Sequence, residues 1–88
     1  MNADDIVLNK IIEINDFLEL TFTPEIDKIS KIIKILFSRY YINLDLIQKN
    51  LLNYYQIFDS EIITNEIINE KMIEFKQTIN NPLDISNS

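Results

Sequence analysis

The side chains able to do chemistry are few in this chain, and the carboxylates of Glu66, Glu70 and Glu74 come first. Their i,i+4 spacing sets three negative charges along one side of a helix, where like charges repel by a few tenths of a kcal/mol per pair, roughly. Paired carboxylates can act as acid and base, as in glycoside hydrolysis, but that chemistry needs a cleft and a substrate platform that a short helical chain rarely supplies. Metal chemistry fares worse. Di-metal bundle sites draw on Glu-x-x-His pairs, and the chain has no His and no Cys. It also has no Gly, so neither a glycine phosphate loop nor an Asp-x-Asp-x-Asp-Gly calcium loop can form. The expectation is no enzyme, no metal and no cofactor.

What remains is binding. Ile63 and Ile67 fall near the Glu66–Glu70–Glu74 side of their helix, outside its main apolar stripe. The start of that helix is therefore apolar nearly all round: either the other helices enclose it, or it presents aliphatics to another chain. With Tyr55 as an aromatic anchor, Ile63, Glu66, Ile67, Glu70 and Glu74 make up the expected partner-binding surface. Of the four tyrosines, Tyr40 and Tyr54 fit core stripes, while Tyr41 and Tyr55 sit toward stripe edges, where rigid amphipathic rings suit interfaces.

A second patch is basic. Lys28, Lys31 and Arg39 fall opposite the apolar stripe of their helix, with Lys34 at the margin and Ile35 among them. The plain reading is a solvated face; the sharper one is a contact for an acidic partner or phosphate. Nucleic acid is disfavoured, because no aromatics interleave with these four bases to stack on bases of a strand.

These residues need elements to carry them, and apolar spacing is helical throughout. A first helix is expected over about residues 4–20, with Val7, Leu8, Ile11, Ile14 and Leu18 inward and Asp4 and Asp5 at its positive end. Ile6 and Phe17 fall on its polar side, and Phe17 is expected to fold under the loop Thr21-Phe22-Thr23. Thr23-Pro24-Glu25 opens a second helix running to about Tyr41, with Thr23 as cap and Ile26, Ile29, Ile33, Leu36, Phe37 and Tyr40 as its stripe. Asn43 caps a third over about 44–58, carrying Leu44, Ile47, Leu51, Tyr54 and Phe58. Asp59-Ser60 starts a fourth, which reaches about Asn80 with Ile68, Met72, Phe75 and Ile79 in register before Pro82 stops it. The fold class expected is all-α: a small antiparallel four-helix bundle, or three helices if the last two merge, in one domain over residues 1–81 with a flexible, disordered tail at 82–88.

Composition agrees with that outline. The 88 residues are 47% hydrophobic and 25% charged, with a net charge of −6, a globular balance sufficient for one small core. There are 19 Ile, 11 Asn and one Ala, a palette that points to an AT-rich coding source rather than to function. Charge is uneven: residues 1–24 and 59–88 each carry −4, residues 25–43 carry +2, and residues 44–58 balance. A basic second helix neutralised by acidic neighbours is the simplest arrangement. No apolar run reaches membrane-spanning length, and the acidic start lacks the basic residues of a leader, so a soluble cytoplasmic protein is expected.

From shape and charge, the function expected is a small acidic helical inhibitor, an immunity- or antidote-like protein, or an adaptor, holding a partner protein with a basic surface. The alternative is a structural subunit that forms a homodimer or larger assembly through surplus aliphatic faces.

Overall fold

A computed structural model describes residues 2–20, 23–58 and 60–80. They form four helices, α1 (Ala3–Glu19), α2 (Glu25–Ser38), α3 (Leu44–Ile57) and α4 (Asn65–Asn80), with no strand among the described residues. This is the expected small four-helix bundle. The tail at 82–88, Pro82, Asp59 and the Thr21-Phe22 loop residues lie outside the described residues.

Local side chains set the helix starts. Asn2 caps α1, its Oδ1 accepting from the Asp5 N–H at 3.0 Å, and Asn43 caps α3 by accepting from Leu46 N–H at 2.8 Å. Each satisfies one of the backbone donors left free in a first turn. The start of α2 departs from expectation. Pro24 itself occupies the cap position, with no side-chain cap hydrogen bond, so Thr23 does not cap. The end of α2 also comes early. Tyr41 adopts φ 58, in the left-handed region, and Ile42 N–H turns back to the Leu36 carbonyl at 3.1 Å. That closure would ordinarily use Gly, and the chain has none.

The fourth helix begins later than Asp59-Ser60 suggests. Ser60 Oγ accepts from Ile63 N–H at 3.0 Å, making a local turn instead of a helix cap. Thr64 then caps α4, with Oγ1 accepting from Ile67 N–H at 3.3 Å. Within this turn Ile63 lies in the core, at 2% exposure. It also keeps α3 and α4 separate, so the merged three-helix alternative is not adopted.

Packing is not a simple square. α1 lies against α2 and α3, and α4 lies against α2 and α3; α2 also meets α3, but α1 and α4 make no close approach. α1 and α2 run antiparallel, since Glu19 pairs with Lys28 across their joined ends while Lys10 sits 4.8 Å over the Tyr40 ring further back. α1 and α3 run in the same sense, with Asp4 on Lys49 and Asn15 on Tyr54. Ile11, Ile29, Ile32, Ile33, Leu36, Ile47, Leu51 and Ile68 are fully enclosed at the centre.

Having three neighbours, α2 buries a wider and rotated arc: Lys28, Ile29, Ile32, Ile33 and Leu36. Ile26 and Tyr40, expected inside, are exposed, and Ile32, not expected, is buried. Lys28, expected on the outer basic face, is 4% exposed. Among the described residues, Lys28 alone carries the expected neutralisation of α2 by an acidic neighbour. The other described ion pairs are Lys49–Asp4 between α3 and α1, and Lys10–Glu13 and Lys71–Glu74 within single helices. No helix is long and apolar enough to cross a membrane, among the described residues.

Candidate functional site

The ends of α1 and α3, the first turn of α2 and the linker before α4 meet around a cleft of about 620 Å³. Concave sites of that volume are of ligand-binding size. Buried Asn15, Lys28 and Tyr54 form its floor. Ile12, Tyr55, Phe58 and Ile62 supply apolar walls. The exposed carboxylates of Asp16, Glu19, Glu25 and Glu61 stand round the mouth.

Each part is held by its own element. Asp16 and Glu19 share a face at i,i+3 on the last turns of α1, and Glu25 opens α2 directly across the hairpin. The linker is fixed by hydrogen bonds from Phe58 N–H to the Tyr54 carbonyl and from Ser60 N–H to the Tyr55 carbonyl, both 3.3 Å. Burial of Ile63 anchors its far end, leaving Glu61 and Ile62 facing out. Tyr54 packs edge-on against Tyr55 at 4.9 Å between ring centres and, tilted by 52°, against Phe58 at 4.8 Å, and this three-ring cluster is one flank of the cleft.

The site's field is negative. Burial, then the Asp16 and Glu19 charges, push the Tyr54 hydroxyl above its usual 10.0, against a smaller opposing effect of its Asn15 hydrogen bond. Tyr55 is pushed up further, chiefly by burial and then by Tyr54, Glu25 and Glu19. Both phenols stay neutral hydrogen-bonding groups. Lys28 is the cation of the lining, its Nζ 3.6 Å from Glu19 Oε1. No three acidic side chains, among the described residues, are grouped closely enough to hold a metal ion.

No family model matches this sequence, and no curated protein or solved structure is significantly similar to it.

The residues singled out by spacing do not converge. Tyr55 lines the cleft, half-buried. Ile63 is inside the core and not on a free face. Glu66, Glu70 and Glu74 are exposed along α4, with Ile67 half-buried beside them and Glu74 paired to Lys71 at 3.1 Å. In the basic set, Lys28 belongs to the cleft floor, while Lys31, Lys34 and Arg39 are exposed and Ile35 packs partly on the core. Lys31 reaches Thr23 Oγ1 at 3.4 Å. Ile35 and Arg39 also border a smaller hollow of about 200 Å³ with Glu13, Phe17 and Tyr40. Phe17, expected under the following loop, is exposed.

Asp16, Glu19, Glu25, Phe58, Glu61 and Ile62 were not legible as a set. Two signals in the sequence point to them. A hairpin between α1 and α2 must bring Asp16-x-x-Glu19 beside Glu25, and the linker following α3 is apolar on both sides of its acidic residues.

Proposed function

We propose that this chain is a non-enzymatic protein-binding module that docks a basic partner in the acidic, aromatic-walled cleft. It would act by occupancy, as an inhibitor, an antidote-like protein or an adaptor does. One observation carries the reading: four carboxylates from three separate segments surround a hollow with apolar walls, whose lining offers one ammonium in return. Aromatic and aliphatic walls with a charged rim match the anatomy of a specific interface. The overall charge of −6 adds long-range attraction for a basic surface, speeding encounter, while Phe58 and Ile62 supply contacts that slow release. Glu66, Glu70 and Glu74, exposed along α4 outside the cleft, contribute to steering.

The test is retention of a partner from the source cells, identified by mass spectrometry, on three immobilised proteins. Wild type and a Glu70→Lys/Glu74→Lys variant should retain the same basic protein; an Asp16→Lys/Glu61→Lys variant should lose it. Equal retention by all three removes the cleft from the interface.

A further inference from the structure

Resting on the binding reading above, we infer that the cleft is a receptor for arginine, taking the guanidinium of a partner's side chain together with a flanking apolar residue.

The arrangement of charge selects the shape of cation. Lys28 already places one ammonium at the floor, paired with Glu19. Asp16, Glu25 and Glu61 have no ion-pair partner among the described residues. They stand on α1, on α2 and on the linker, and they do not converge on one point. A metal ion or a second ammonium is a point charge and would answer one of them at a time. A guanidinium carries five N–H donors in a rigid plane, so it can address carboxylates in several directions at once.

The walls select the same group. Phe58 is 64% exposed as a residue, its ring held at the cleft by its contact with Tyr54. A planar, weakly hydrated cation stacks on such a face better than a strongly hydrated ammonium does. Ile12 and Ile62 are exposed beside it and would cover the side chain's methylenes and an apolar neighbour. A purely apolar occupant would strip water from the carboxylates and leave them unanswered, which is unfavourable.

Three blocked tripeptides, Leu-X-Leu with X as arginine, lysine or the uncharged isostere citrulline, test this by NMR titration of the full chain. The arginine peptide should bind about fivefold more tightly than the lysine peptide. Citrulline should bind weakest, with shifts confined to the Tyr55, Phe58 and Ile62 region. Asp16→Asn/Glu61→Gln, which alters exposed side chains only, should weaken arginine binding about tenfold with an unchanged thermal melt. Phe58→Leu should narrow the preference for arginine over lysine. Equal affinity for arginine and lysine overturns the inference, as does absence of binding or a response centred on α4. Those outcomes leave cleft-dependent capture of a partner intact. Failure of the module reading would instead abolish that dependence while arginine binding persists.

Discussion

The side-chain amide of Asn15 donates a 2.9 Å hydrogen bond to the hydroxyl of Tyr54, joining α1 to α3 beneath the cleft. Both residues are buried, so each polar group depends on the other instead of on water. Tyr54→Phe should destabilise the protein by about 1–3 kcal/mol in urea unfolding, because the Asn15 amide loses its partner. Asn15→Leu combined with Tyr54→Phe should recover much of the loss. A double variant as unstable as the sum of the single ones would show that the two groups are not coupled.

Tyr41 invites the opposite change. The residue is 87% exposed while its backbone is held at φ 58. A non-glycine residue there is disfavoured by about 1–2 kcal/mol. Tyr41→Gly should stabilise the fold by about 1 kcal/mol, after allowing for the added freedom of Gly in the unfolded chain. A thermal melt should rise by roughly 4–8 °C. A lower melting temperature would mean that the ring makes a contact worth more than the strain.

Lys28 and Glu19 form an unequal pair, with the lysine side chain buried and the glutamate side chain 61% exposed. Screening at Glu19 keeps the effect of Glu19→Gln below about 1 kcal/mol. Removing the buried charge should be neutral or favourable: Lys28→Met, which retains the aliphatic stem, should match wild type or exceed it by up to about 1 kcal/mol. A substantial loss in urea unfolding would assign Lys28 a structural role that its 3.6 Å pair does not account for.

Two kinds of group shape the pH dependence. Hydrogen bonds from Lys49 and then Asn50 hold the Asp4 carboxyl below its usual 3.8. The unfolded chain thus binds that proton more readily, so the contribution is complete above pH 3.8 and is lost as pH falls through the lower folded value. Asp4→Asn should soften acid unfolding. At the other extreme, Tyr54 and Tyr55 are raised above 10.0 in the fold, so the unfolded chain releases those protons first. Stability should decline as pH climbs past 10.0, and Tyr55→Phe should make the decline shallower. Denaturant titrations across both ranges check the two signs.

Helix positions were largely legible because capping chemistry is local. Asn43 announces α3, and the bonds it makes are the ones its type favours. Rotation was harder. With Ile at 26, 29, 32, 33 and 35, more than one apolar stripe fits α2, and contact with three helices decides between them. That choice moved Ile32 and Lys28 inward and Ile26 outward. The start of α4 was misplaced because Ser60 and Thr64 are both good capping residues. Burial of Ile63, a tertiary effect, assigns Ser60 to a turn and Thr64 to the cap. The cleft is not legible in the sequence for a related reason. Its carboxylates lie 45 positions apart at the extremes, from Asp16 to Glu61, and only the association of α1 with α3 makes them neighbours.

The separation of α1 from α4 leaves the last helix attached through α2 and α3 alone, with Ile68 and Met72 as its buried residues. Amide protons along α4 should therefore trade with deuterium in a partial opening that spares the first three helices. Anything seated between Asp16 and Glu61 would grip the strap that leads into that helix, slowing the trade from a distance without touching α4.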